Sequence, residues 1–198
     1  MLDRAGLLFW HDSTLRPDGS TKMLEGVRDV TALGGVLLRN VFALAAVAAL
    51  LFLRLRREAV LFALTVASGW AVNSALKGLV GRARPQILPH LTEAGGNSFP
   101  SGHSFNSAVV YIAMALAFAA LTSRRSVRWT VIVGAMIVSL AIAWSRVWLG
   151  VHWPSDVVAG WLGGAGWAFL ASALLYRPAK ATVDAAEAVS EPDSPDRR

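Results

Sequence analysis

Residues 145–156 read SRVWLGVHWPSD and lie between two apolar runs, 129–149 and 157–176. A bilayer core takes about 20 apolar residues in a helix, so each flanking run is long enough to cross. Ionised side chains are expensive at membrane depth, yet Arg146, His152 and Asp156 share this one junction. A pair of spans joined by a charged turn implies an all-α, multi-span transmembrane helical bundle with chemistry at its helix ends.

Composition agrees. Of the 198 residues 55% are hydrophobic and only 16% are charged, against about 25% charged in soluble domains, and the mean hydropathy is +0.48. Three further runs, 33–53, 59–80 and 104–122, bring the visible spans to five. The absence of cysteine excludes disulfides and thiolate metal sites. No feature points to nucleic acid.

The chain divides into three segments. In residues 1–32 the run Ala5 to Trp10 is too short to span, while Met23, Val27, Val30 and Leu33 recur at helical spacing beside Lys22, Glu25, Arg28 and Asp29. That pattern suits an amphipathic helix lying in the membrane interface. Residues 33–176 form the membrane-embedded domain. Residues 177–198, rich in Ala, Asp, Ser and Pro, read as a disordered cytoplasmic tail. Within the last span, Gly160 and Gly164 form a small-xxx-small pair suited to close helix packing.

Arginine placement orients the bundle. Arg54, Arg56 and Arg57 follow the first span, and Arg124, Arg125 and Arg128 follow the third. Two spans separate the clusters, so they share a side, which the positive-inside rule makes cytoplasmic. The loop 81–103 and the turn 150–156 then share the extracytoplasmic side, where Lys77, Arg82, Arg84, Arg146, His103, His152 and Asp156 converge. Between residues 33 and 176 the only acids are Glu58, Glu93 and Asp156. Singly, Lys77 or Arg146 could snorkel to lipid headgroups; jointly, the cations make a mouth built for an anion.

Local patterns sharpen this. In Pro100–His103, PSGH, backbone N–H groups open a helix, and such N-termini bind phosphate. Ser101 can cap the helix or donate its hydroxyl, and Gly102 permits close approach. His152 and Asp156 are four residues apart, with Pro154 suited to a first helical turn. The carboxylate can hold one ring nitrogen and leave the other free as nucleophile or base. A zinc site of His152, Asp156 and His103 or His90 is the competing reading; the neighbouring cations disfavour a bare dication, and a magnesium cluster would want more carboxylates.

Lys77, six residues, then Arg84 and Pro85; PSGH at 100–103; and Ser145, Arg146, five residues, His152, three residues, Asp156: this order resembles the three-part signature of the type 2 phosphatidic acid phosphatase superfamily, in its membrane-bound lipid phosphatase branch. Its phosphate site is shared with the vanadium-dependent haloperoxidases. The resemblance covers roughly residues 31–176. It implies an integral membrane enzyme, in the inner membrane with its site facing the extracytoplasmic side. The implied reaction is hydrolysis of a lipid phosphate or diphosphate (polyprenyl diphosphate, phosphatidic acid or phosphatidylglycerol phosphate) without metal or other cofactor. His152 would be the nucleophile that forms a phosphohistidine, Asp156 its orienter and His103 the acid for the leaving oxygen. Lys77, Arg84, Ser101, Gly102 and Arg146 would bind phosphate. The alternatives are a lipid phosphotransferase, a vanadate-dependent haloperoxidase and a non-catalytic anionic-lipid binder.

One departure stands out. Such proteins usually have six spans, and five are visible here; either the start is truncated or residues 5–32 lie along the outer interface. With five spans the N-terminus would be outside and the C-terminus inside.

A neutral nucleophile and a protonated acid are needed together, so kcat/KM against pH is expected to be bell-shaped. A profile flat from mildly acidic to mildly basic pH would contradict two titrating histidines.

Overall fold

The computed structural model describes residues 2–12, 15 and 19–190, with side chains through Leu174. Among these residues every regular element is helical: α1 (Leu2–Leu8), α2 (Thr21–Leu33), α3 (Val36–Phe52), α4 (Arg56–Val80), α5 (Gly102–Ala119), α6 (Arg125–Trp148) and α7 (Pro154–Ser190).

Local chemistry sets the boundaries. The Ser20 hydroxyl accepts from the Met23 amide to start α2, and the Ser101 hydroxyl accepts from the Ser104 amide to start α5. Each satisfies a donor that the helix itself cannot pair. Gly81, at φ 63°, ends α4 in the left-handed region with its N–H on the Lys77 carbonyl, a conformation glycine takes without strain.

Among the described residues four helices are long and apolar enough to cross a bilayer: α4, α5, α6 and Pro154–Leu174 of α7. The first run of the sequence behaves differently. At 17 residues α3 is short, and it reaches spanning length only together with α2, from which it bends by 47°. The bend falls at Gly34 and Gly35, and the pair counts as a fifth span only if α2 and α3 cross together.

Helix α5 is the axis of the bundle. Of its apolar window 72% is buried, against 17–28% for α4, α6 and α7. The outer helices turn large apolar residues outward: Leu79 is 81% exposed, Ile137 60% and Leu162 58%. Apolar surface on every outer helix has no stable place in water, whereas lipid accepts it. The chain is an integral membrane protein.

Without a hydrophobic drive between helices in lipid, close backbone approach stabilises the bundle. The small-residue pair expected in the last span does this. A Cβ at Gly160 would stand 2.9 Å from the Ser101 carbonyl oxygen, and one at Gly164 only 2.1 Å from that of Phe105. The Ser101 amide also donates to the Asp156 carbonyl at 3.0 Å, tying the first turn of α5 to that of α7.

The N-terminal helices pack on the bundle. Leu7 of α1 is fully buried among Leu88, Ala143, Val147 and Val157. Val27 of α2 packs with Trp148, Leu149 and Val151. At its far end α7 continues as helix through Ser190, into the segment whose composition suggests disorder; residues 191–198 lie outside the described residues.

Gly164→Ala therefore forces a methyl group into backbone, an overpacking penalty of about 1–3 kcal/mol. Gly166, where an added Cβ would meet nothing within 4 Å, is the control. Thermal unfolding in detergent, followed by tryptophan fluorescence, should fall by roughly 2–10 °C for Gly164→Ala and stay near the parent for Gly166→Ala.

Candidate active site

Alternation of the helices places α4's C-terminus, α5's N-terminus, α6's C-terminus and α7's N-terminus at one end of the bundle, with the arginine-rich turns at the other. Each delivers one part of the site.

Asp156, in the first turn of α7, is completely buried. A buried carboxylate must be hydrogen-bonded and charge-balanced, and four donors meet it. The Trp153 amide reaches Oδ2 at 3.0 Å, the Ser98 hydroxyl donates to the same oxygen, His152 Nδ1 lies 3.4 Å from it, and Arg82 Nη1 reaches Oδ1 at 2.7 Å. On the far edge of the imidazole, Arg84 Nη1 stands 3.0 Å from His152 Nε2. A guanidinium can only donate, so Nε2 carries the lone pair and the proton belongs on Nδ1, facing Asp156 and, at 3.3 Å, the Ser98 oxygen. The tautomer with an unprotonated Nε2 is set from both sides of the ring.

The other cations gather at the same helix ends. Arg84 is held by carbonyls, through Nε to Gly96 at 3.1 Å, Nη2 to Gly95 at 2.8 Å and Nη1 to Val151 at 2.8 Å. Lys77 Nζ donates to the Asn97 carbonyl at 2.8 Å, and the Asn97 amide returns a bond to the Lys77 carbonyl at 2.9 Å. The Lys77 side chain passes Gly102, whose added Cβ would lie 3.5 Å from Lys77 Cε. Arg146 is 2% exposed, its Nη1 bonds Thr31 Oγ1 at 2.8 Å, and its Nε has no partner among the described residues. An unsatisfied donor on a buried cation is costly and calls for an anion. His103 lies within electrostatic reach of Arg146, Arg39, His152 and Arg84, and its ring has no hydrogen-bond partner among the described residues.

All eight residues singled out from the sequence, His152, His103, Asp156, Lys77, Arg84, Ser101, Gly102 and Arg146, thus come to one end of the bundle. Some details differ from expectation. Arg82 does not face the anion side: it bridges Asp156 and, through Nη2, Asp3 of α1 at 2.7 Å. The Ser101 amide is committed to the Asp156 carbonyl, leaving Gly102 and His103 to present amides at the helix start. Trp148, the last residue of α6, is 1% exposed. His90 bonds the Pro85 carbonyl at 2.7 Å, and among the described residues no three His, Asp or Glu side chains gather around a common point.

Sequence reasoning did not find Ser98 or Asp3. Ser98 is one hydroxyl residue in a polar loop, with no spacing to mark it. Asp3 accepts from the Ser155 amide at 2.9 Å and from its hydroxyl at 2.7 Å, joining α1 to the start of α7 across most of the chain. Burial raises the Asp3 carboxyl, but the bonds from Arg82 and Ser155 outweigh it and hold the group below the ordinary carboxylate range. Burial likewise pulls Arg82 down, and its bonds to the two carboxylates more than offset this.

Burial, helped by Arg84 and Arg146 and opposed by the Asp156 bond, depresses His152 to about 4. The unfolded chain binds this proton near pH 6.5, so His152 contributes stability above that pH which is lost as pH falls toward 4. In 15N-histidine NMR of the detergent-solubilised protein, the resonance missing from His152→Gln should remain neutral at pH 5.5. A charged imidazole there would contradict this geometry.

Comparison with known proteins follows the same outline. The family model described as the PAP2 superfamily matches residues 58–179. Lipid A 1-phosphatase of Rhizobium etli is 37% identical over 127 residues, 60% of this chain and 50% of the relative. Phosphatidylglycerophosphatase B of Bacillus subtilis is 34% identical over 116 residues, 57% of this chain and 56% of the relative. The chain thus spans about half the length of these curated relatives. The crystal structure of the transmembrane PAP2 type phosphatidylglycerolphosphate phosphatase from Bacillus subtilis superposes with a TM-score of 0.76 at 27% identity, over 87% of this chain and 82% of that one. Aquifex aeolicus LpxE shares the fold, with a TM-score of 0.60 at 20% identity over 86% of this chain and 94% of that one. The matched segment takes in well over half of the 198 residues and every helix end that builds the site, and the chain belongs to the PAP2 superfamily.

Proposed function

We propose that this protein is a membrane phosphatase that hydrolyses a lipid phosphate or diphosphate through a phosphohistidine on His152. The observation that carries the reading is the line from Asp156 through His152 to the cation cluster, with the lone pair of Nε2 facing Arg84. A nucleophile needs a free lone pair, a partner that stabilises the charge it acquires, and a site that holds phosphorus in line. Asp156 supplies the partner, since the imidazole becomes cationic as the N–P bond forms.

Lys77, Arg84 and Arg146 then stabilise the equatorial phosphoryl oxygens, with the Gly102 amide and the Ser101 hydroxyl. Phosphoryl transfer through a loose transition state depends mainly on such positioning and charge. Nε2 bonds to phosphorus as the bond to the leaving oxygen breaks, and His103, whose ring is otherwise unengaged, gives that oxygen its proton. Neutral His103 next takes a proton from water as the water oxygen attacks phosphorus; the N–P bond breaks, and inorganic phosphate leaves. No metal enters this reading, because the cations perform the charge stabilisation.

The relatives' names support a lipid substrate: they are phosphatases of lipid A and of phosphatidylglycerophosphate, and an undecaprenyl-diphosphatase of Sulfolobus acidocaldarius is 38% identical over 73 residues, 37% of this chain and 31% of that one. The mouth lies opposite the arginine-rich turns, which favours an extracytoplasmic opening.

Purified protein should release phosphate from lipid phosphates or diphosphates in the presence of EDTA. His152→Ala should nearly abolish release, while Lys77→Ala should retain activity lowered by about 10²- to 10³-fold. Equal, mild losses in both variants would overturn the assignment, and product formed only with an added lipid or sugar acceptor would identify a phosphotransferase instead.

A further inference from the structure

One buried cation, within electrostatic reach of His103, has no role in the reading above. Arg39, in the first turn of α3, is 6% exposed. Its one hydrogen bond is a long one, from Nη1 to the Gly34 carbonyl at 3.5 Å, and it pairs with no carboxylate among the described residues. Its position makes this costly. A cation near a helix N-terminus meets the positive end of the dipole, and a guanidinium without a counterion is poorly tolerated when buried. Snorkelling would relieve both, but Arg39 is enclosed and bends back toward Gly34.

Gly34 is the link to the catalytic residues. A Cβ placed on it would stand 3.2 Å from His103 Cδ2 and 2.4 Å from Ile142 Cγ2, so only glycine lets the bent α2–α3 segment approach so closely. The carbonyl that Arg39 bonds therefore belongs to the residue packed against the His103 ring. Arg39 also lines a cavity of about 270 Å³ between α3, α4 and α5, together with Asn40, Asn106 and Trp70. Asn106 lies near Gly102, whose added Cβ would be 3.9 Å from Asn106 Nδ2. Asn106 thus links this cavity to the start of α5, and Arg39 is within electrostatic reach of His103.

We infer that Arg39, with Asn40 and Asn106, forms a second anion subsite that holds the retained phosphate of a diphosphate substrate. This rests on the phosphatase reading and deepens it. When His152 Nε2 bonds to the terminal phosphorus, the bond to the bridging oxygen breaks, and the departing group is a monophosphate ester next to His103. Charge develops on that bridging oxygen and is shared with the phosphate behind it. A buried guanidinium is placed to stabilise that phosphate, and a monophosphate ester has nothing there for Arg39 to bind.

The first measurement is binding, which does not depend on turnover: affinity of the intact detergent-solubilised protein for methylenediphosphonate relative to inorganic phosphate, by calorimetry. The parent should prefer the diphosphonate, and Arg39→Gln should reduce that preference by about 10- to 100-fold, with Arg39→Lys in between. Asn40→Asp, at an exposed position on the cavity wall, should reduce it too by adding a carboxylate, and serves if Arg39→Gln does not fold. The second measurement is the ratio of kcat/KM for farnesyl diphosphate to that for farnesyl monophosphate, which should fall in step. A preference unchanged in Arg39→Gln or Asn40→Asp, or absent from the parent, would overturn the subsite. Intact diphosphonate preference in a protein that cleaves neither farnesyl ester would instead overturn the phosphatase reading and leave the subsite standing.

Discussion

The structure depends on one buried carboxylate. Asp156 has no exposed surface, and an ion in that position is tolerated only with its lone pairs filled and its charge opposed. Filling them recruits distant parts of the chain: Ser98 from the loop before α5, Trp153 and His152 from the turn before α7, Arg82 from the segment after α4. Arg82 in turn engages Asp3, which bonds the Ser155 amide. The backbone shares in the arrangement, since the Asp156 carbonyl accepts from the Ser101 amide. The same residue thus orients an imidazole and joins the ends of three helices.

Around this point the cations divide by the partners available to them. Arg82 is next to two carboxylates and is neutralised by them. Lys77 and Arg84 bond neutral carbonyls, which relieve desolvation but leave net charge in place. Arg146 has one hydroxyl partner and an unfilled Nε. The residual positive charge lies beside His152 Nε2, through Arg84, and beside the start of α5, through Lys77, and it favours an anion with several oxygens to meet several donors.

Close backbone approach makes this possible. Glycine at 160 and 164 brings α7 against α5, and glycine at 34 brings the bend between α2 and α3 against His103 and Ile142. Thr31, just before that bend, is the partner of Arg146, so the N-terminal region supplies part of the site's framework.

The sequence alone determined the class, the five apolar runs, the ends at which charge collects and the eight residues brought to the site, because hydropathy, helical spacing and motif order are local properties. The i, i+4 pair His152 and Asp156 was legible for the same reason. What only the tertiary structure decided depends on contacts between remote segments. The commitment of Arg82 to Asp156 and Asp3, the role of Ser98 between His152 and Asp156, the bend between α2 and α3 and the burial of Trp148 are of this kind. Arg39 is the clearest case. In the sequence it is one arginine near the start of an apolar run, and snorkelling would explain it; in the fold it is enclosed beside Gly34 and His103, because packing, which no local pattern encodes, decides which cations reach water.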